Sequence, residues 1–314
     1  MKVAIIDLGT NSLRLDVYEL SAAGHAVRRI YRNKVMVRLG DGVFETSELL
    51  PEAKQRTLQA LLDFKHLIEA EGVDRVVGFA TSAMRQAKNS KAFVRQIKKL
   101  TGFNMEVIDG KTEAEFIAKG ILSNEVLPAS LVALIDIGGG STEVSICHKK
   151  SVIDSFSFDL GANRLQQMFL HTVPPQKLPS GESPVEALRA YVNEQVAPLV
   201  QKKNWPSIEV VIGSSGTIRA IAKILRKKDV PIDPFKRSSL ATLIEEMLPM
   251  SREQLLLLPG LEAKRVDLIL AGCVLLDEIL KVLGCKKVYT TSFSLRDGIL
   301  EAEMERFLAA QIRA

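Results

Sequence analysis

The sequence predicts an α/β protein of two duplicated domains, each a mixed sheet with flanking helices. Three observations predict it. Strand-length apolar runs alternate with stretches of helical periodicity along most of the chain. The order of elements breaks at SNEVLPAS, residues 123–130, and then begins again. Most specific is a repeat: Asp7-Leu8-Gly9-Thr10-Asn11-Ser12 is matched by Asp136-Ile137-Gly138-Gly139-Gly140-Ser141. Each copy closes one apolar strand and opens another, which marks an internal duplication. Two such units facing each other would line a cleft with two matching loops.

Taken in order, residues 2–8 read as a buried strand, and 13–20 and 26–38 as two more, rich in Val, Leu and Ile. Pro51 opens a helix that runs to Gly72, with Leu58, Leu61, Leu62 and Ile68 on one face. Residues 76–79 form a fourth strand, followed by one helical stretch from Ser82 to Leu100. Residues 105–108 form a fifth, followed by a helix from about Thr112. After the break, 131–136, 144–148 and 152–158 read as strands. Helices follow from Ala162 and from Ser183, the second with a capping box of Ser183 and Glu186. Residues 210–212 form a strand into a helix from Thr217. A long apolar helix spans 266–283, a last strand 287–289 and a last helix 294–311. The expected domains are 1–124, with helix 299–314 packing back on it, and 125–298.

Composition excludes several classes. At 314 residues, 46% hydrophobic and 25% charged, the chain has ample core for two domains. The apolar run Val3 to Ile6 is broken by Asp7, too short for a signal peptide or a membrane span. The cysteines, Cys147, Cys273 and Cys285, are odd in number and widely spaced, which fits buried thiols in a reducing cytoplasm. The net charge of +5 suits a small polyanion better than a nucleic acid, since aromatics make up only 5%. Pairs such as Lys98–Lys99 and Lys202–Lys203 read as solvated helix faces. His25, His66, His148 and His171 show no metal-ligand spacing, and no Ser-His-Asp or Cys-His set is visible.

The repeated turn has a chemical use. Its glycines let backbone N–H groups approach and surround an anion, the Asp at the strand end can hold a hydrated Mg²⁺, and the hydroxyl can donate to a phosphate. An ordinary hairpin turn also favours Gly and Asn, but two copies opening two similar units make that reading weaker. A third turn, Gly213-Ser214-Ser215-Gly216-Thr217, joins a strand to a helix N-terminus, a further place for an anion.

These features together resemble the actin, heat-shock chaperone and sugar-kinase superfamily, with its ribonuclease H-like domains. Within it the chain is similar to the exopolyphosphatase / guanosine pentaphosphate phosphohydrolase family. The matching stretches are DLGTNSLRL at 7–15, GFATSAMRQA at 78–87, IDGKTEAEF at 108–116, DIGGGSTEVS at 136–145, GSSGTIRA at 213–220 and LPGLEAKRVDLILAG at 258–272. They span nearly the whole chain in the family's order. The family's longer members carry a further helical domain that this sequence does not reach.

The resemblance implies that Glu113 is the general base for an attacking water and that Arg85 contacts the phosphate under attack. It assigns Asp136 and Glu143, with Asp7, to Mg²⁺ or another divalent cation. Asn11, Ser12, Gly139, Gly140, Ser141 and Thr142 would cradle phosphates, with Gly213, Ser214, Ser215, Gly216 and Thr217 further along and Arg265 at the distal polyanion. The implied substrate is polyphosphate or guanosine pentaphosphate, with no membrane and no specific nucleic acid as partner and a homodimer as the family's habit. Many members carry two acidic residues where this chain has Thr112-Glu113. A capping box of Thr112 and Glu115 puts Glu113 in a first helical turn, where an acid is also favoured by the helix dipole alone. Arg85 likewise could be a solvated arginine one turn after Ser82. A small-molecule kinase and a non-catalytic nucleotide-binding module are the competing readings on the same fold.

Overall fold

A computed structural model of the chain describes residues 1–22, 26–203, 205, 208, 210–226 and 234–313. It divides into two compact units, Met1–Gly120 with Leu295–Ala314, and Ile121–Ser294. The sequence places these divisions at 124 and 298.

The first unit begins β1 (Lys2–Leu8), β2 (Leu13–Ser21), β3 (Ala26–Val35), α1 (Val43–Thr46) and α2 (Pro51–Ala70). It continues β4 (Arg75–Ala80), α3 (Ser82–Gln86), α4 (Ser90–Thr101), β5 (Met105–Val107) and α5 (Gly110–Asn124), whose last turn enters the second unit. The sheet order is β3-β2-β1-β4-β5, antiparallel through β3, β2 and β1 and parallel through β1, β4 and β5. Central β1 is covered on both faces, so Val3 to Ile6 are all fully buried rather than alternating.

The second unit repeats the plan. It runs β6 (Leu131–Ile137), β7 (Thr142–His148), β8 (Ser151–Phe158), α6 (Ala162–Phe169), α7 (Pro184–Lys203), β9 (Val210–Gly213) and α8 (Ser215–Leu225). Then come β10 (Phe235–Lys236), α9 (Arg237–Met247), α10 (Arg252–Leu256), α11 (Ile269–Val282) and β11 (Lys287–Thr290). Five of its strands, in the order β8-β7-β6-β9-β11, carry the same directions as β3-β2-β1-β4-β5, and β10 adds an antiparallel edge. The chain ends in α12 (Leu295–Arg313), which belongs to the first unit. Two equal hands of antiparallel and parallel pairing confirm two duplicated α/β units.

Three local readings change. The stretch 82–100 is two helices, because Asn89 exchanges side-chain hydrogen bonds with the backbone of Leu49 (Nδ2 to O 3.1 Å, N to Oδ1 3.0 Å) and pulls residues 87–89 out of the helical path. The apolar helix starts at Ile269, preceded by one 3₁₀ turn at Ala263–Arg265. Lys203 does not merely solvate a helix face: its Nζ donates to Asp154 (2.8 Å) and lies over the Phe156 ring. Of the histidines, His25 lies outside the described residues. The three thiols are buried and free, and burial pushes Cys147 and Cys285 up to about 12 and Cys273 higher still, so none is a nucleophile. Among the described residues no helix is long and apolar enough to cross a membrane.

Each unit buries a charge cluster. In the second, Asp277 on α11 receives Arg189 (2.8 Å) and Arg237 (3.0 Å), while the neighbouring Glu278 receives Lys281 (3.2 Å) and Asn193 (3.3 Å). Asp277→Ala leaves two guanidiniums without their shared carboxylate. We expect it to lower stability by about 3 kcal/mol, the low end for breaking a buried pair, because Arg237 stays partly in water. A urea midpoint equal to that of the wild type would contradict this.

Candidate active site

In the first unit the turn between β1 and β2 is held by its carbonyls. Gly9 N–H donates to the Ser12 carbonyl (3.0 Å). The Thr10 carbonyl accepts from Gly40 N–H (2.8 Å) and the Asn11 carbonyl from Arg38 N–H (3.0 Å). A trans peptide points its C=O and N–H in opposite directions. Fixing these two carbonyls on one side therefore presents the N–H groups of Asn11 and Ser12 on the other, the arrangement of an anion nest.

Asp7, expected as a metal carboxylate, has cations beside it already. Its Oδ2 lies 3.1 Å from Arg14, its cross-strand partner, and 3.7 Å from Arg296 on α12. Arg296 also pairs with Asp16, which is fully buried and receives Arg32 at 2.6 Å. A carboxylate flanked by two guanidiniums is a poor holder for a divalent cation, and in this structure Asp7 lies between Arg14 and Arg296.

Arg85 and Glu113 follow the ends of adjacent parallel strands, β4 and β5, which brings them together. Arg85 Nη1 donates to Glu113 Oε2 (2.8 Å) and to the Ile108 carbonyl (3.0 Å). Glu113 is only 8% exposed, in the first turn of α5. The cap of this helix is not Thr112. Thr112 N–H donates to Asp109 Oδ1 (2.7 Å), and Glu113 N–H to the Asp109 carbonyl (3.0 Å), so the helix begins at Gly110. The Thr112 bond holds the Asp109 carboxyl below its ordinary range. The cap is therefore independent of Glu113, whose carboxylate faces Arg85.

In the second unit the matching turn is tighter. Gly138 N–H donates to the Ser141 carbonyl (2.9 Å), as Gly9 does to Ser12. The next three carbonyls are all taken by the start of α6: Gly138 from Ala162 N–H (3.0 Å), Gly139 from Asn163 (2.8 Å) and Arg164 (3.0 Å) N–H, and Gly140 from Arg164 Nε (2.8 Å). By the same peptide geometry the N–H groups of Gly139, Gly140 and Ser141 turn the other way. Gly161 permits this approach, since a Cβ there would lie 2.4 Å from both the Gly139 oxygen and the Gly140 nitrogen. The Thr142 hydroxyl donates to the Leu160 carbonyl, so Thr142 supports the turn rather than presenting a free hydroxyl.

Asp136 and Glu143 are direct cross-strand partners on β6 and β7, which puts both carboxylates on one face of the sheet. Asp136 is half-buried; Glu143 is 3% exposed, and its Oε1 accepts from the Ser157 hydroxyl (2.8 Å). The corresponding pair in the first unit is Asp7 with Arg14. One copy is thus charge-compensated and the other doubly acidic. Among the described residues no group of three or more His, Cys, Asp or Glu gathers elsewhere as a metal centre. Two oxygen donors beside an anion nest fit Mg²⁺, which keeps several waters and takes phosphate oxygens as further ligands.

At the third turn, Ser214 N–H donates to the Ile135 carbonyl (2.8 Å) and its hydroxyl to the Phe293 carbonyl (2.8 Å). The Ser215 hydroxyl accepts Ile218 N–H (3.2 Å). The Ser214 hydroxyl is engaged as a donor in holding the turn, while that of Ser215 only accepts and keeps its own O–H to donate. Gly216 makes room for Arg265, whose Nη2 would stand 2.1 Å from a Cβ at that position. Thr217 packs on Gly272. Arg265 thus lies beside the N-terminus of α8. Arg14, Arg296 and Arg164 were not singled out from sequence: each takes its meaning from a partner brought near by folding.

The fold is a duplicated α/β architecture with two tied-back glycine turns and a buried Glu–Arg pair. The Ppx/GppA phosphatase family matches residues 18–307, and the chain belongs to it, which makes it a hydrolase. It is 30% identical over 315 residues to exopolyphosphatase 2 of Mycobacterium tuberculosis, covering 95% of this chain and 97% of that one. It is 27% identical to the guanosine-5'-triphosphate,3'-diphosphate pyrophosphatase of Pseudoalteromonas translucida, over 99% of this chain and 61% of that protein. The crystal structure of an exopolyphosphatase from Cytophaga hutchinsonii superposes with a TM-score of 0.85 at 25% identity, covering 97% of this chain and 98% of that one.

Proposed function

We propose that the chain releases terminal orthophosphate from inorganic polyphosphate. The observation that carries this reading is the turn at 138–141, where three consecutive carbonyls are tied back to α6, which turns the amides to the side on which this reading places the phosphates. Relatives matched nearly end to end carry the exopolyphosphatase name, which favours polyphosphate over guanosine pentaphosphate.

In this reading water attacks the terminal phosphorus, the bond to the bridging oxygen breaks, and the chain leaves one phosphate shorter. Glu113 aligns the water and takes its proton. Arg85, which in this structure donates to Glu113, places its guanidinium at the terminal phosphate and stabilises the charge spread over its oxygens. For phosphoryl transfer, positioning of the water matters more than the basicity of the carboxylate that holds it. Asp136 and Glu143 would hold Mg²⁺, which neutralises phosphate charge when bound. Asp7 keeps no metal role here. A cytoplasmic location is what the cysteines suggest, and a homodimer is what the family resemblance implies.

A phosphate-release assay with long polyphosphate, short polyphosphate and guanosine pentaphosphate tests the reading. We expect release from polyphosphate with no acceptor present. Release from guanosine pentaphosphate alone would transfer the reading to that substrate. Nucleotide-dependent phosphorylation of an acceptor would favour a kinase, and binding without turnover a non-catalytic module.

A further inference from the structure

The two phosphate turns differ in what stands behind them. In the first unit the Asn11 carbonyl is held by a backbone amide, that of Arg38. In the second, the corresponding Gly140 carbonyl is held by a side chain, the Nε of Arg164 at 2.8 Å. Arg164 is 8% exposed, and its Nη2 is tethered to Asp159 Oδ1 at 2.9 Å. The Asp159 carboxylate is itself largely in water, 69% exposed, and meets Nη2 on the outer side, while Nε reaches inward to the Gly140 carbonyl.

A guanidinium that only filled space could be replaced by an apolar side chain at small cost. This one sits in the third residue of α6, where the amides of Ala162 and Asn163 and its own amide already hold Gly138 and Gly139. Its side chain completes the series by one further carbonyl. Donation from a cation to the Gly140 oxygen polarises the Gly140–Ser141 peptide and makes the Ser141 N–H a stronger donor. It also fixes which way that peptide faces, because a flipped peptide would direct an oxygen toward the anion.

We infer that Arg164 is a positioning residue for phosphate binding: from behind the turn it orients and polarises the Gly140–Ser141 peptide and sets a permanent positive charge one peptide away from the bound anion. The inference rests on the phosphate-binding reading of the turn. It requires no direct contact between Arg164 and substrate.

The test measures binding apart from turnover. The probe is imidodiphosphate, whose P–N–P bridge resists hydrolysis, titrated calorimetrically with Mg²⁺ present. Arg164→Met is expected to weaken binding at least about tenfold, the scale of one charge-assisted hydrogen bond, and Arg164→Lys to recover part of the loss. In turnover the KM for polyphosphate should rise in Arg164→Met. A fall in kcat with KM unchanged would mark a merely structural loss of active protein and overturn the inference. So would Arg164→Met protein that binds the probe as tightly as the wild type. If Arg164→Met does not fold, Arg164→Gln decides, since its amide can still donate to the Gly140 carbonyl but carries no charge: an affinity lowered at least about threefold at unchanged Tm supports the inference, and unchanged affinity overturns it. A wild type that binds the probe in an Arg164-dependent way but releases no phosphate leaves this inference standing and removes the hydrolase mechanism alone.

Discussion

With Glu113 replaced by Gln, phosphate release from polyphosphate is expected to fall at least about a hundredfold, the scale of general base catalysis. The substitution is clean. Gln keeps the size of the side chain and an oxygen that can still accept from Arg85 Nη1. The helix cap is untouched, because Asp109 and not residue 113 supplies it. If Glu113 served only to complement the helix dipole, the change would cost about 0.3–1 kcal/mol of stability and leave turnover intact. Binding of the probe should persist or tighten, since a negative charge leaves a polyanion site. A Glu113→Gln enzyme that melts slightly earlier yet works near the wild-type rate would sink the catalytic assignment, and Glu143 would be the next residue to test.

Removal of divalent cations by EDTA is expected to abolish turnover, and Mg²⁺ to restore it. The reason is the Asp136–Glu143 pair, two carboxylates placed opposite each other beside an anion nest. Glu143→Gln should raise the Mg²⁺ concentration needed for half-maximal rate by at least about tenfold, since a charged ligand to a hard cation is lost. Asp7→Asn, by contrast, should leave that concentration near its wild-type value, because Asp7 is matched to Arg14 and Arg296. Full activity in metal-free buffer would overturn the assignment of the acidic pair. A metal requirement shifted by Asp7→Asn as much as by Glu143→Gln would return Asp7 to the metal site.

How far these residues were legible in the sequence depends on the distance over which each is defined. The repeated turn lies between two hairpin strands, so its glycines and the seven-residue spacing of Asp136 and Glu143 follow from local chain geometry. Arg85 and Glu113 stand apart in sequence but follow neighbouring parallel strands, and only the motif as a whole announces the pair. Capping was ambiguous for a physical reason. Asp109 and Thr112 both carry oxygens that can end a helix, and the short Asp109 bond to the Thr112 amide decides between them. The break at 87–89 depends on Asn89 meeting Leu49, and no periodicity within 82–100 reports that contact. Arg164 was legible as a helical residue only, because its role needs the Gly140 carbonyl that folding delivers.

The course of α12 has a consequence for biosynthesis. Its Arg296 compensates the fully buried Asp16, and its Gly298 packs against the α5 backbone so closely that a Cβ would stand 1.8 Å from the Phe116 oxygen. During translation, residues 1–120 emerge first, yet they lack this helix until residue 295 and beyond leave the ribosome. The second unit is continuous in sequence and can settle while the first still lacks Arg296, the second guanidinium on Asp16, and the helix that packs on its sheet. The unit that carries Glu113 is therefore synthesised early and consolidated late. A released fragment ending at residue 294 should hold a protease-resistant second unit behind a protease-sensitive first one.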